Sequence, residues 1–509
     1  MFEAGPVALL AFIVFPFVVY AQFTRMSGTK ATAVALMLAT LYLPAGEALI
    51  NLPVLPPMGR ESFGTVFALI FLLTFHRKRF MSAKPGRGLE FYALMLMIPY
   101  LMTWKTNPEP LVYGFKAVPG YGARVFIPPL TFGDVRGYWL EEFAYVLIPF
   151  IVGRAMFRTR NEVVTLLNVI VAFGVTYIPL MLLELRMSPQ IHTWVYGYFP
   201  HPDFTQTIRW GGYRAQVFFE HGLVLARFML VLFLANAALY LGNEKKAWRF
   251  TPRELIPFLF VVSILGKSMG AIIFLFAFSG LIFFVSLGMQ TRVLALVALL
   301  ICAYPYGRST GALDMTPVVE YVQARYPQRA ESLLTRVNNE RALSKRGREK
   351  FWYGWGGWSR SHVWDVEHGI DTSVTDGYWI IRFGRYGVFG LILPFLLLLG
   401  PVFLLWWRRK KIKRREDLAM MCVMAGICTL YALENLPNAV STGMPWLMAG
   451  ATTGFLTTLT NPKAAAVAHR YEEPEGARGK GGRRRGPAGR PRPPMPAQAP
   501  AGAAYRGGP

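Results

Sequence analysis

A chain of 509 residues that is 53% hydrophobic and only 16% charged, with a mean hydropathy of +0.34, is too oily for an ordinary soluble protein and typical of one that crosses a membrane many times. Its formal charge of +25 would point to nucleic acid in a soluble protein, but here much of it lies in short connections between apolar stretches, where lysine and arginine set topology. Cys302, Cys422 and Cys428 all sit inside apolar runs, which excludes a disulfide framework or a zinc site of the usual spacing, and no GxxxxGK[ST] phosphate loop is present.

Apolar stretches long enough to cross as helices fall near 5–23, 31–49, 59–75, 91–104, 138–156, 163–185, 222–241, 255–267, 270–288, 292–306, 384–407, 418–434 and 444–460, about thirteen in all. The fold class this predicts is an all-α polytopic membrane protein with a large exoplasmic loop containing an amphipathic helix. The first stretch follows an acidic Glu3 with no basic segment before it, so it reads as a retained helix, not a cleaved signal. Basic clusters follow alternate stretches: Arg25 and Lys30; "HRKRF" from His76; Arg154, Arg158 and Arg160; "NEKKAWR" from Asn243; Arg292; and "WWRRKKIKRR" from Trp406. The positive-inside rule makes these loops cytoplasmic and puts the N-terminus outside.

The chain then divides into a bundle over 1–306 with outer loops at 105–137 and 186–221, a large outer loop over 307–383, C-terminal spans over 384–460 and a cytoplasmic tail over 461–509. The tail has ten Lys/Arg against three Asp/Glu, is rich in Pro and Gly, and buries no core, so disorder is expected. Its "GGRRRG" run suits anionic headgroups of membrane lipids, a solvated linker without a partner is the competing and preferred reading, and no nucleic acid is expected.

Chemistry is expected on the outer face. "IRWGGYRAQVFFEHG", from Ile208 to Gly222, gathers Arg209, Arg214, Glu220 and His221 at the start of a span, where ionisable groups are costly unless paired or solvated. In the large loop, Arg325 to Lys350 holds eight Lys/Arg against three Asp/Glu, on leucines near helical spacing. Guanidinium groups bind phosphate with fixed geometry, so a lipid-borne pyrophosphate is an expected anion here; a solvated helix face is the competing reading, because long loops translocate whatever their charge. "WYGWGGWSRSHVWD" follows, with Trp355, Trp358, Arg360, His362 and Asp365 as candidates for stacking on and hydrogen bonding to sugars. Asp376, with Arg382 and Arg385 a turn or two further on, stands before the next span. Interfacial anchoring of the tryptophans and close packing by Gly384, Gly387 and Gly390 are the competing structural readings. No carboxylate or histidine cluster has metal spacing, and no metal or cofactor is expected.

The outer segment "YRAQVFFEHG", the late loop "RVNNERALSKRGREKFWYGWG" and the acid with paired glycines in "TDGYWIIRFGRYGVFG" together resemble the O-antigen polymerase and O-antigen ligase superfamily. The resemblance implies a metal-independent glycosyltransferase of the bacterial inner membrane, acting at the periplasmic face on undecaprenyl-pyrophosphate-linked oligosaccharides, with polysaccharide co-polymerase or export components as partners. It makes Arg214 the pyrophosphate-binding arginine of the earlier loop and Arg336 and Arg341 those of the later one, with Arg209 and Arg382 as further candidates. Asp376 is the expected base, with Glu220 and His221 as alternatives. Ligases of the superfamily carry histidine and asparagine where this chain has Asp376 and Gly377, which favours a polymerase over a ligase. A lipid-linked oligosaccharide flippase is the rival from another class; it would place charges at the midplane of broken helices.

Overall fold

A computed structural model describes residues 5–46, 50, 58–325, 327–357, 359–439, 443–472 and 508. The chain is 71% helical, with almost no sheet. In chain order the helices are α1 (Pro6–Arg25), α2 (Gly28–Tyr42), α3 (Arg60–Phe75), α4 (Arg77–Ser82), α5 (Glu90–Lys105), α6 (Phe132–Glu142), α7 (Ile148–Met156), α8 (Arg160–Met187), α9 (Ile191–Tyr196), α10 (Gly222–Leu241), α11 (Pro252–Leu265), α12 (Met269–Phe284), α13 (Leu287–Thr310), α14 (Thr316–Arg325), α15 (Pro327–Glu349), α16 (Tyr378–Arg408), α17 (Arg415–Glu434), α18 (Met444–Thr460) and α19 (Pro462–Arg470). A π turn over Phe143–Leu147 joins α6 to α7. Among the described residues, six helices are long and apolar enough to cross a membrane: α1, α8, α10, α13, α16 and α17.

Local sequence explains where several helices start. Thr131 with Asp134, Thr159 with Glu162 and Thr251 with Glu254 each form a capping box, in which the threonine hydroxyl accepts from the third backbone N–H and the acid accepts from the cap's own N–H. The centre of the bundle is α10, apolar apart from Arg227 and Asn236 and buried over nearly its whole length, which is what a helix surrounded by other helices requires. Lipid offers no hydrophobic incentive for helices to pair, so close contact depends on small residues. The pair α7 and α18 meets through Gly153, Gly450 and Gly454. A methyl group at Gly450 would lie 2.1 Å from the Phe150 carbonyl oxygen.

The polar connections sort to two ends. At one end Arg79 binds Glu162 at 2.6 Å and also Thr29, tying the α1–α2, α3–α4 and α7–α8 connections together. Arg160 holds Glu244 at 2.7 Å and Asp417, drawing in the connections after α10 and before α17. The Glu472 carboxylate accepts from Thr159 at 2.8 Å and Asn161 at 3.0 Å, so the chain after α18 docks here too. Disorder expected from residue 461 is thereby corrected for the first part of the tail: Asn461 caps α19, a one-sided helix that turns back onto this end. The remainder, including "GGRRRG", lies outside the described residues.

The opposite end carries the longer connections. Residues 105–131 fold over those of 350–371, with a hairpin of β1 (Leu111–Tyr113) and β2 (Val125–Ile127) pairing Leu111 with Ile127. The hairpin is pinned by backbone bonds from Gly114 to Val366 and Ala123 to His368 and by stacking of Tyr113 on Trp364 at 5.6 Å. Helix α16 begins at Tyr378, six residues before the span expected from residue 384, and breaks at Gly387, whose φ of 67° and ψ of −162° suit glycine alone. The groups freed by the break are taken by the passing loop: Gly384 O accepts from Trp355 N at 2.9 Å, Arg385 O from Gly356 N at 2.7 Å, and Val388 N donates to Phe351 O at 2.9 Å.

Candidate functional site

Ile208–Arg209 and Gly212–Tyr213 form a second hairpin, β3 and β4, closed by Trp210 and Gly211, both at positive φ as the tightest hairpin turn demands. Arg214 N donates to Thr207 O at 2.7 Å, carrying the pairing one residue further. The chain then dives into the bundle. Buried Glu184 on α8 receives the backbone N–H groups of Gln216 at 2.8 Å, Val217 at 2.6 Å and Ile191 at 2.9 Å, while Phe218 N donates to Tyr177 and Phe218 O accepts from Arg60. His221 closes the segment by capping α10.

These anchors fix the guanidinium of Arg214, which is 3% exposed. Its Nη2 donates to Gln206 O at 2.9 Å, Nε meets no acceptor among the described residues, and no carboxylate there lies within ion-pair distance. Gly222 makes room for it: a methyl group at that position would stand 2.6 Å from Nε. His221 lies alongside, 3.4 Å from Nη2. The Leu223 N–H occupies its Nδ1 at 3.0 Å, so the ring proton sits on Nε2 and is donated to Gln206 Oε1 at 3.0 Å. Burial, then the charges of Arg214, His201 and Arg209, push the imidazole down to about 3. Burial and then Arg209 lower the guanidinium to about 10. At neutral pH the pair is therefore one full positive charge with no ion-paired counter-charge among the described residues, beside the positive end of α10's dipole. His221, expected as an alternative base, has both nitrogens engaged and serves to position Arg214 and Gln206.

The surroundings add positive charge. Arg209 is exposed, Lys267 reaches its carbonyl at 3.5 Å, and the His201 ring lies 5.1 Å from that of His221. Glu220 is exposed and within electrostatic reach of buried Glu61, which binds Thr40 at 3.1 Å and the Arg60 Nε at 3.7 Å. Arg227, in the second turn of α10, is 3% exposed and packs 5.0 Å over the Tyr431 ring, with Glu434 as a nearby charge. Arg60, Glu61, Glu184, Arg227 and Glu434 are functional-site candidates that the sequence reading does not single out, each being an isolated charge or pair within an otherwise apolar stretch. The signal was an ionisable residue inside each apolar stretch.

A second group lies where α15 crosses the start of α16. Arg336 pairs with Asp376 at 3.4 Å and Arg341 with Asp314 at 3.5 Å, all of them substantially exposed. Arg308 clamps α15 onto α13 through Glu340 at 3.0 Å and the carbonyls of Leu313 and Val337.

The remaining candidates are consumed internally. Arg382 lies within α16, so the opening of that span does not deliver it to Asp376. It binds Glu142 at 2.8 Å, the Tyr100 hydroxyl and Gly390 O at 2.9 Å each, and Glu142 also accepts from Tyr92 and Tyr100. Pyrophosphate has no donor left there. Arg385 likewise turns to Glu141 at 3.7 Å. The Trp355 ring, expected to stack on sugar, is covered by Arg346 at 3.3 Å and Lys350 at 4.8 Å. Arg360 donates to the carbonyls of Trp355, Pro128 and Glu109. His362 binds Asp371, and Asp365 caps its own turn through Glu367 N and His368, whose hydrogen bonds hold its carboxyl below the usual range. That stretch is a structural knot; the aromatic it leaves open is Trp352, 59% exposed. Trp358 lies outside the described residues.

Arg214 and Asp376 occupy the same end of the bundle. Both precede helices, α10 and α16, whose far ends reach the Arg160 cluster and the basic run before α17. The turn after α17 meets the start of α16, where Asn438 O accepts from Tyr378 N at 3.3 Å, and Asn438 Nδ2 donates to Glu434 at 3.4 Å. No hydrogen bond or ion pair joins Arg214 and Asp376 directly among the described residues. No family model matches this chain, and no curated protein is significantly similar to it.

Proposed function

We propose that the chain is a metal-independent glycan polymerase with about thirteen spans, joining oligosaccharide repeats carried on undecaprenyl pyrophosphate at the periplasmic face of a bacterial inner membrane, its basic loops and tail cytoplasmic. The observation that supports this reading best is Arg214: a buried, rigidly held guanidinium without an ion-paired counter-charge among the described residues is poised for an anionic group, and its stabilising effect on a leaving pyrophosphate grows in a site that excludes water. In the proposed reaction the acceptor hydroxyl oxygen attacks the anomeric carbon of the donor sugar. The new C–O bond forms as the bond from that carbon to the pyrophosphate oxygen breaks, and the lipid pyrophosphate departs with the electron pair. Asp376 takes the hydroxyl proton, with Glu220 the alternative carboxylate on the α10 side. Polysaccharide co-polymerase or export components would receive the product.

Incubation of the purified protein with a synthetic undecaprenyl-pyrophosphate oligosaccharide, without nucleotide sugar, is expected to give products lengthened by whole repeats. Arg214→Ala is expected to slow extension about 100-fold or more, the usual effect of removing one donor to a developing anion. Transfer of a single glycan to a lipid or protein acceptor would replace the polymerase with a ligase. Movement of the lipid-linked glycan across a vesicle without any new linkage would replace it with a flippase, a reading that the break in α16 beside the buried Arg382–Glu142 pair makes worth testing.

A further inference from the structure

Between α13 and α16 runs a groove of about 290 Å³ lined by apolar side chains, among them Cys302 and Pro305 on α13 and Leu391, Phe395 and Leu399 on α16, with Gly400 on its wall. Its walls are one turn of α13 and about three turns of α16, two helices able to cross a membrane, so its natural content is a stretch of hydrocarbon chain. What lies above its outer end distinguishes it from a mere crevice for bulk lipid. One turn beyond Pro305, Arg308 locks α15 across α13, and α15 then presents Arg336 and Arg341, each held among the described residues by a long, solvent-accessible ion pair. Such pairs contribute little to stability and yield readily to phosphate, which guanidinium binds bidentately. The groove is also separate from the Arg214 centre, because α17 packs against α10 on one side and against α13 and α16 on the other.

We infer that this groove seats the first isoprene units, next to the phosphate, of a second lipid-linked molecule, the acceptor, with its phosphates under Arg336 and Arg341 and its sugar beside Asp376. The inference rests on the polymerase reading. It divides the labour: Arg214 faces the donor's leaving group, while the carboxylate belongs to the acceptor's seat.

Cys302 is an internal reporter, since it is exposed in the groove while Cys422 and Cys428 are buried. The full chain in detergent micelles is treated with a membrane-permeant maleimide in the presence of undecaprenyl phosphate or of dioleoyl phosphatidylglycerol at equal mole fraction. Undecaprenyl phosphate is expected to slow labelling of Cys302 about tenfold more than the phospholipid does, the scale of a few buried methylenes. Gly400→Leu fills the groove without a clash, because a methyl group there meets nothing within 4 Å, and it is expected to abolish that protection. Gly280→Leu on α12, equally open, is expected to leave it intact. Equal protection by both lipids, or protection that survives Gly400→Leu, overturns the inference. Chain extension without protection of Cys302 removes the groove alone; protection without extension removes the polymerase and with it the acceptor role, leaving a polyprenyl-phosphate site.

Discussion

Two buried arginines in this protein carry opposite obligations. Arg382 is fully compensated by Glu142 and two oxygen acceptors, whereas Arg214 has carbonyl and imidazole neighbours but no ion-paired counter-charge among the described residues. Substitution by methionine should separate them. Arg382→Met strands Glu142 in the interior and is expected to cost about 3–5 kcal/mol in thermal or denaturant unfolding. Arg214→Met removes an unpaired charge and is expected to leave the melting temperature unchanged or raise it, while chain extension is lost. A Tm that falls as far for Arg214→Met as for Arg382→Met would make Arg214 a structural residue. Acid supplies an independent check. The imidazoles of His221 and His192 titrate near 3 and 4 in the folded protein against an ordinary 6.5, burial being the first cause in both, so the unfolded chain binds more protons between those limits. Stability is therefore expected to be complete above about pH 6.5 and to decline as pH falls toward 3, with His221→Gln flattening the lower part of that slope. Sequence made Arg214 visible, because three ionisable neighbours shared its short segment. It hid Arg227, Glu184 and Glu434, since one charged residue in an otherwise apolar run does not announce which helix will face it.

At the scale of elements, α16 shows both what periodicity reveals and what it leaves out. The oily run after Gly390 marked a span, and Gly384, Gly387 and Gly390 marked close packing. Neither disclosed that the helix starts at Tyr378 and breaks at Gly387, because a single positive φ leaves no trace in hydrophobic spacing. A methyl group at Gly387 would sit 2.3 Å from the Trp352 carbonyl. Gly387→Ala is accordingly expected to destabilise the protein by at least about 2 kcal/mol, adding backbone strain to overpacking. Wild-type unfolding for that variant would mean that the break is not obligatory. The hairpin over 111–127 was likewise illegible, since its strands are three residues each and owe their place to the 365–371 loop across the molecule.

Across the whole molecule, each stretch expected to span contains helix, six of these helices among the described residues are long and apolar enough to cross, and basic connections meet at one end through Arg79 and Arg160. Charge order along the chain made that convergence readable, because the rule that sorts loops acts on local sequence. How the longer connections at the opposite end interlock was not readable, since it depends on contacts hundreds of residues apart such as Thr103 with Tyr353 and Arg360 with Pro128. Sidedness can be tested by placing single cysteines at exposed Lys245 and exposed Tyr121 in a background without native cysteines. An impermeant maleimide applied to intact cells is expected to label position 121 and not position 245, and the reverse pattern would invert the protein in its membrane.

The splice at Gly387 also limits how this protein can be re-engineered. Because the vacated backbone groups of a membrane helix are satisfied by the 351–356 loop, the two are one part inherited together. A chimera that exchanged the 307–377 region for a foreign counterpart, yet kept its own α16, would leave donors and acceptors bare beside lipid. Any productive swap must cut beyond Gly390.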